Sequence, residues 1–218
     1  MSLAGPKTQQ FRVFSSNINY ARDLVKAGQS LADLKAGAFD VGDLHRAAWV
    51  QAVSALDHWL HEEIYSRVRV LADNTSSVPI ALQKLPLTLA AVEDIRLGKT
   101  LLSAAVVEEV QRTWSYQALQ NPKKIAEALK LVYDDGDLWG KVAKEFRLRH
   151  HGAVGWTADT IRARHEEILK RRNQIAHEAD LDPTGNRRDI TASEASDAIA
   201  WIERIALAIA AVIGPGAP

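Results

Sequence analysis

Two guanidiniums, the Asn173 carboxamide and an imidazole fall within about two helical turns in the run Lys170-Arg171-Arg172-Asn173-Gln174-Ile175-Ala176-His177. Imidazole has a reference pKa of about 6.5, so a histidine both takes and gives a proton near neutral pH. RNA carries its own nucleophile, the 2′-hydroxyl beside each phosphate. Metal-free cleavage of RNA therefore asks three things of a protein: a proton shuttle, a cation for the charge that develops on the phosphorane, and a group to orient them. His177, Arg172 and Asn173 match those roles in type. A histidine near a helix end also has a plain structural use as a C-terminal cap. Both readings of His177 stand.

The helix that carries these residues sets where they point. On an ideal wheel at about 100° per residue, with Ile161 at zero, Ile168 and Ile175 fall within about 40° and Leu169 at about 80°. Arg172 falls at about 20°, inside this apolar stripe. An unpaired charge buried there costs several kcal/mol. One answer is that Arg172 snorkels out or pairs with a carboxylate of a neighbouring helix, for which Asp57 and Glu62 are candidates. The other is that it faces a groove or a subunit interface, where a phosphate docks in fork geometry. Asn173 and His177 lie at about 120° and 160°, on an adjoining face. Arg172 and His177 are thus about 140° apart, an awkward angle within one protomer. Arg171 adds a supporting cation. Ser54, Asp57, His58 and His61 form a second polar stripe, which is either a solvated face or the side that holds Arg172 in place.

Apolar residues recur with a helical period throughout. Leu44, Ala48, Ala52, Ala55, Leu56, Trp59 and Leu60 draw one stripe over Asp43 to Tyr65, with Asp43 as the expected cap. Thr191-Ala192-Ser193-Glu194 has capping-box spacing, and the helix after it, with Ile199, Ile202, Ile205, Ile209 and Val212, stops at Gly214-Pro215-Gly216. The Arg172 helix opens near Thr157 and ends before the turn at Asp182-Pro183-Thr184-Gly185. A less regular helix spans about Thr8 to Leu34. Shorter helical segments cover about Thr88 to Trp114, Pro122 to Tyr133 and Leu138 to His150. Ala72 to Pro86 reads as a loop, part of an insertion around residues 72–120. No run alternates with period two, so no sheet is expected. One all-α domain over residues 1–218 is the expectation.

Composition narrows the function classes. The 218 residues are 47% apolar, enough for a packed interior. There is no cysteine, which removes disulfides, thiolate metal sites and thiol nucleophiles and fits a reducing cytoplasm. No signal peptide or membrane span is legible. Lys+Arg and Asp+Glu balance at 27 each, so bulk charge draws no nucleic acid. From Lys141 to Arg188, however, eleven Lys/Arg face seven Asp/Glu, a phosphate-contacting patch or a solvated face. Leu97-Gly98-Lys99-Thr100 lacks the earlier glycine of a phosphate loop, because Glu93 stands there. His61-Glu62 and His165-Glu166 lack the second histidine of a zincin helix, and the adjacent His150 and His151 chelate poorly on a helix. No metal site and no cofactor are expected.

Arg172-Asn173-Gln174-Ile175-Ala176-His177 resembles the R-N-x-x-x-H form of the R-x(4–6)-H motif of the HEPN superfamily. Ala47 to Trp59 resembles the second-helix block of the RiboL-PSP-HEPN family. Ser115-Tyr116-Gln117 through Asn121-Pro122, with Ile125 and Ala128-Leu129, resembles its middle block more loosely. Arg171 to Asp182, then Ile190-Thr191 and the closing helix, resembles its last. The resemblance implies an all-α HEPN-like helical bundle with a helical insertion, which forms a homodimer. It further implies a composite, metal-independent site in which Arg172 and His177 are catalytic and Asn173 positions them, supported by Arg171, Asp57 and Glu62. The implied activity is endoribonucleolytic, in a toxin or defence effector whose partners are RNA and an antitoxin or regulatory protein. The alternative is a non-catalytic HEPN dimer that binds a protein or a nucleotide.

Overall fold

Side-chain caps fix the starts of most of the long helices. The computed structural model describes residues 5–34, 40–74, 78–134, 136–149 and 155–215. Among them are nine helices: α1 (Gln9–Asp33), α2 (Gly42–Asp73), α3 (Ile80–Gln83), α4 (Leu89–Arg96), α5 (Leu102–Trp114), α6 (Pro122–Leu129), α7 (Leu138–Arg149), α8 (Ala158–His177) and α9 (Ala192–Val212). Thr8 caps α1, its Oγ1 accepting from the Phe11 amide at 3.2 Å. Thr157 with Thr160, and Thr191 with Glu194, close reciprocal capping boxes on α8 and α9. Each such cap stabilises by about 1 kcal/mol. Helix α2 departs from expectation. No side chain caps it in the usual way, the Asp40 carboxylate accepts from the Gly42 amide at 2.9 Å, and Asp43 lies inside the first turn, 3.2 Å from Arg46.

Two other expectations are refined. The segment from Thr88 to Trp114 is two helices rather than one, because the chain turns at Gly98, whose φ of 67° suits glycine. The expected loop from Ala72 to Pro86 holds the single turn of α3. Residues 75–77 of that loop, and His150 with His151, lie outside the described residues. The turn after α8 forms as read: Gly185 takes a φ of 84°, and the Asp182 carboxylate accepts from the Thr184 and Asn186 amides.

Helix α2 is the central post, packed against α1, α5, α8 and α9. Its stripe of Ala48, Ala52, Ala55, Leu56, Trp59 and Leu60 is buried as the periodicity requires, and the alanines let neighbouring backbones approach closely. Phe11 and Phe14 pack on Trp59 in edge and tilted geometry, with centroids 5.5 and 5.7 Å away. Ile199, Ile202, Ile205 and Ile209 of α9 are buried in the same continuous core. Burying each such side chain stabilises by roughly 1.5–3 kcal/mol. Helix α5 contributes Val106, Val107, Val110 and Trp114 to this core, whereas α4 buries nothing and lies on its outside. No strand occurs among the described residues. A single bridge between Leu181 and Arg187 closes the turn after α8. The chain is therefore an all-α helical bundle, and no described helix is long and apolar enough to cross a membrane.

Candidate active site

Helix α8 sits on α2 through its apolar face. Ile161, His165, Ile168 and Leu169 are buried, and the Trp49 indole of α2 donates to the Ile168 carbonyl at 3.1 Å. Past Leu169 that face leaves the core. Ile175 is half-buried, and so is Arg172, the guanidinium that the wheel places in the stripe. Here a groove of about 640 Å³ opens between the last turns of α8 and the segment that leads into α6. Arg172, Asn173 and His177 line one wall, and Ala118, Gln120 and Asn121 the other. The long arginine side chain bridges the angle that separates it from His177, so both reach one groove of a single chain.

Arg172 is poorly satisfied within the chain. Its Nη1 donates to the Asn173 side-chain oxygen at 3.1 Å. Its Nε is buried without a partner. A guanidinium has five N–H donors in a planar fork, and among the described residues only the Asn173 bond is made. The His177 ring is exposed and makes no hydrogen bond among the described residues. No ion pair joins Arg172 to either carboxylate considered from sequence. Asp57 accepts the Leu119 amide and stands 3.7 Å from His61, while Glu62 is exposed on α2. Asp57 therefore supports the opposite wall of the groove rather than Arg172.

That opposite wall is tethered twice. Asp57 holds Leu119, and His165 holds its neighbour Gln120, with Nε2 2.8 Å from the Gln120 carbonyl. On its other side the His165 Nδ1 lies 3.3 Å from the Trp201 indole nitrogen of α9. An indole N–H only donates, so Nδ1 accepts and Nε2 carries the proton: a neutral imidazole with both nitrogens satisfied. Burial pushes the His165 pKa down to about 4, opposed only in part by the hydrogen bond to Gln120. The role of His165 was missed from sequence, where it entered only as half of a failed zincin pair; the signal that could have found it is its place one turn from Ile161 on the apolar stripe, where a histidine needs internal partners.

The end of α8 is anchored by a residue that spacing arguments missed. Asp180 is 0% exposed. Its Oδ2 accepts from Arg46 Nε at 2.8 Å, its Oδ1 lies 2.6 Å from Arg171 Nη1, and its backbone amide returns to the Gln174 carbonyl. Ala179 and Asp180 both adopt positive φ, 51° and 59°, so the chain turns sharply three residues after His177 begins its groove wall. Arg171 thus braces this turn, through Asp180 and the Asp189 carbonyl at 3.0 Å, and does not enter the groove. The local surplus of cations between residues 141 and 188 is largely tied up in the same way: Arg147, Arg149, Arg162, Arg164, Arg171, Arg187 and Arg188 all have carboxylate or carbonyl partners.

Beyond Asn121 and Glu166 the groove continues into a second one of about 1250 Å³, to which Lys123, Lys124, Lys130 and Arg162 contribute. Lys124 is paired with Glu127, and Arg162 with Asp159. Lys123 on α6 and Lys130 just past its end are exposed and have no acidic partner among the described residues.

Comparison with known families matches residues 15–214 to the model of the RiboL-PSP-HEPN family. Curated proteins and solved structures gave no match.

Proposed function

The chain belongs to the RiboL-PSP-HEPN family, and from that premise we propose that it is a metal-independent endoribonuclease that cuts single-stranded or loop RNA. The observation that carries this reading is the half-buried Arg172 guanidinium, bonded among the described residues to Asn173 alone, on the same groove wall as a His177 that makes no hydrogen bond among them. A cation with open N–H groups in a partly desolvated groove is suited to a phosphodiester, whose oxygens accept in fork geometry. The 2′-oxygen attacks phosphorus as His177 takes its proton. The bond to the 5′-oxygen then breaks and that oxygen is protonated, leaving a 2′,3′-cyclic phosphate and a 5′-hydroxyl. Arg172 offsets the charge on the phosphorane, and Asn173 fixes its plane. One imidazole performs one proton transfer at a time, so a two-fold dimer that faces two such grooves would supply base and acid together. Unstacked loops and single strands are the favoured targets, because their nucleotides splay for in-line attack. Such an activity damages its own cell, which fits a toxin or defence effector held in check by an antitoxin or regulatory partner.

The test is cleavage of a labelled single-stranded RNA in the presence of EDTA. His177→Ala should lower the rate by about 10²–10⁴, and Arg172→Ala by about 10²–10³, with unchanged circular dichroism. Full activity in folded His177→Ala would sink the mechanism. Wild-type protein that leaves RNA intact yet binds a nucleotide or a partner protein would instead identify a non-catalytic HEPN dimer.

A further inference from the structure

Gln120 occupies the groove wall opposite Arg172 and His177 in an unusual state for a polar side chain. It is 8% exposed, yet its carboxamide makes no hydrogen bond among the described residues. It is also absent from the set of polar atoms sealed off from solvent without a partner. The small part of Gln120 that stays open therefore includes its amide, and that opening is the groove. Its amide is thus left for a ligand or solvent to complete from the groove side.

The backbone beneath this side chain is held on both sides. The preceding amide, Leu119, is bonded to Asp57 of α2, and the Gln120 carbonyl is bonded to the buried His165 of α8. The next residue, Asn121, is the N-cap of α6, its Oδ1 accepting from the Lys123 amide at 2.9 Å, which leaves its NH₂ free at the junction of the two grooves. Three elements thus fix the backbone that carries Gln120 before any ligand arrives, which favours a contact that discriminates rather than adapts.

We infer that Gln120 reads the edge of the nucleobase next to the scissile phosphate. This rests on the RNA reading of the same groove and names its specificity determinant. A carboxamide presents one donor face and one acceptor side by side, and adenine is its best-matched base, through the amino group and an adjacent ring nitrogen. Splayed single-stranded bases expose those edges. The strand's next phosphates would pass Asn121 toward Lys123 and Lys130, which supply unpaired positive charge along the second groove.

The experiment compares wild type with Gln120→Met, which keeps the shape but removes the amide, and with Gln120→Glu, which exchanges the donor for an acceptor. Cleavage of a single-stranded RNA library, read by sequencing the ends, should show a preferred base, adenine, at one position beside the cut. Gln120→Met should reduce that preference roughly tenfold. Gln120→Glu should shift the preference toward cytosine, whose amino group donates to a carboxylate. If wild type cuts without base preference, or if the preference survives in Gln120→Met, the inference is overturned although the nuclease reading stands. If wild type does not cut, fluorescein-labelled oligo(rA), oligo(rC) and oligo(rU) binding is measured by anisotropy. A preference for oligo(rA) lost in Gln120→Met then supports the base subsite while the nuclease reading falls. No preference, or no binding, overturns the subsite as well.

Discussion

Acid should loosen this fold through one histidine, and the size of the effect follows from its surroundings. His165 is fully buried as a neutral ring between the Gln120 carbonyl and the Trp201 indole, and its pKa is pushed down to about 4 from the ordinary 6.5. The unfolded chain therefore binds this proton more readily than the folded one, so stability is fully present above pH 6.5 and is lost as pH falls toward 4. At about 1.4 kcal/mol per pH unit, the folded state loses about 2 kcal/mol between pH 8 and pH 5, and about 3 kcal/mol once the folded-state pKa is passed. Carboxylates that titrate below pH 5 add their own slopes, so the clean measurement is a difference. Urea unfolding followed by tryptophan fluorescence, at half-unit steps from pH 8 to pH 5, is compared between wild type and His165→Gln. Glutamine can still donate to Gln120 and accept from Trp201 but never charges. The stability difference between the two proteins should shrink by about 2 kcal/mol across that range. Parallel curves would show that His165 does not titrate in a buried neutral site, and would remove the tether assigned to the groove wall.

Two further substitutions probe the turn that anchors α8. Asp180→Asn keeps the shape and tolerates the positive φ but leaves Arg171 without its carboxylate and strips one from Arg46, both largely out of water. Its cost should be about 3 kcal/mol in urea unfolding, and a loss under 1 kcal/mol would show the ion pairs to be solvent-screened. Ala179→Gly relieves a side chain held at φ 51°, and a stability gain of up to about 1 kcal/mol is expected, read as a rise in Tm; a fall would mean that the alanine methyl makes a contact worth more than the strain.

The helices were legible because their signals are local. The capping box at Thr191, the helix starts near Thr8 and Thr157 and the three- and four-residue steps of the stripe from Ala48 to Leu60 are all short-range, and the structure places them as read. The Gly98 break and the Asp43 cap were misjudged for a local reason too: glycine ends a helix only when its φ turns positive, and an acidic residue at a helix start serves equally as a first-turn ion pair. Within the groove, Arg172, Asn173 and His177 share a helix, so spacing finds them. Its other wall is assembled from afar. Asp57 meets Leu119 across 62 residues, His165 meets Gln120 across 45, and Arg46 meets Asp180 across 134. No period or motif encodes such pairings, so Asp57 was offered as a partner of Arg172 or as part of a solvated face, and the roles of Gln120 and Asp180 went unread.

The contrast between Arg171 and Arg172 carries the functional argument further than either residue alone. Both guanidiniums leave the same turn of α8. Arg171 is bound to the buried Asp180 and the Asp189 carbonyl, as Arg46 is to Asp180, Asp40 and Asp43, and Arg67 to Glu63 and the carbonyls of Ile213 and Gly214. Where this chain uses arginine to hold itself together, it supplies oxygen partners. At 172 it supplies one neutral amide and leaves Nε buried and unmet. An apolar residue would continue the stripe of Ile161, Ile168 and Ile175 at lower desolvation cost. Stability alone therefore disfavours arginine here. A position where local rules are broken without structural compensation is where function is expected, and under the proposed reading the partner of Arg172 is the RNA phosphate, in a groove of about 640 Å³.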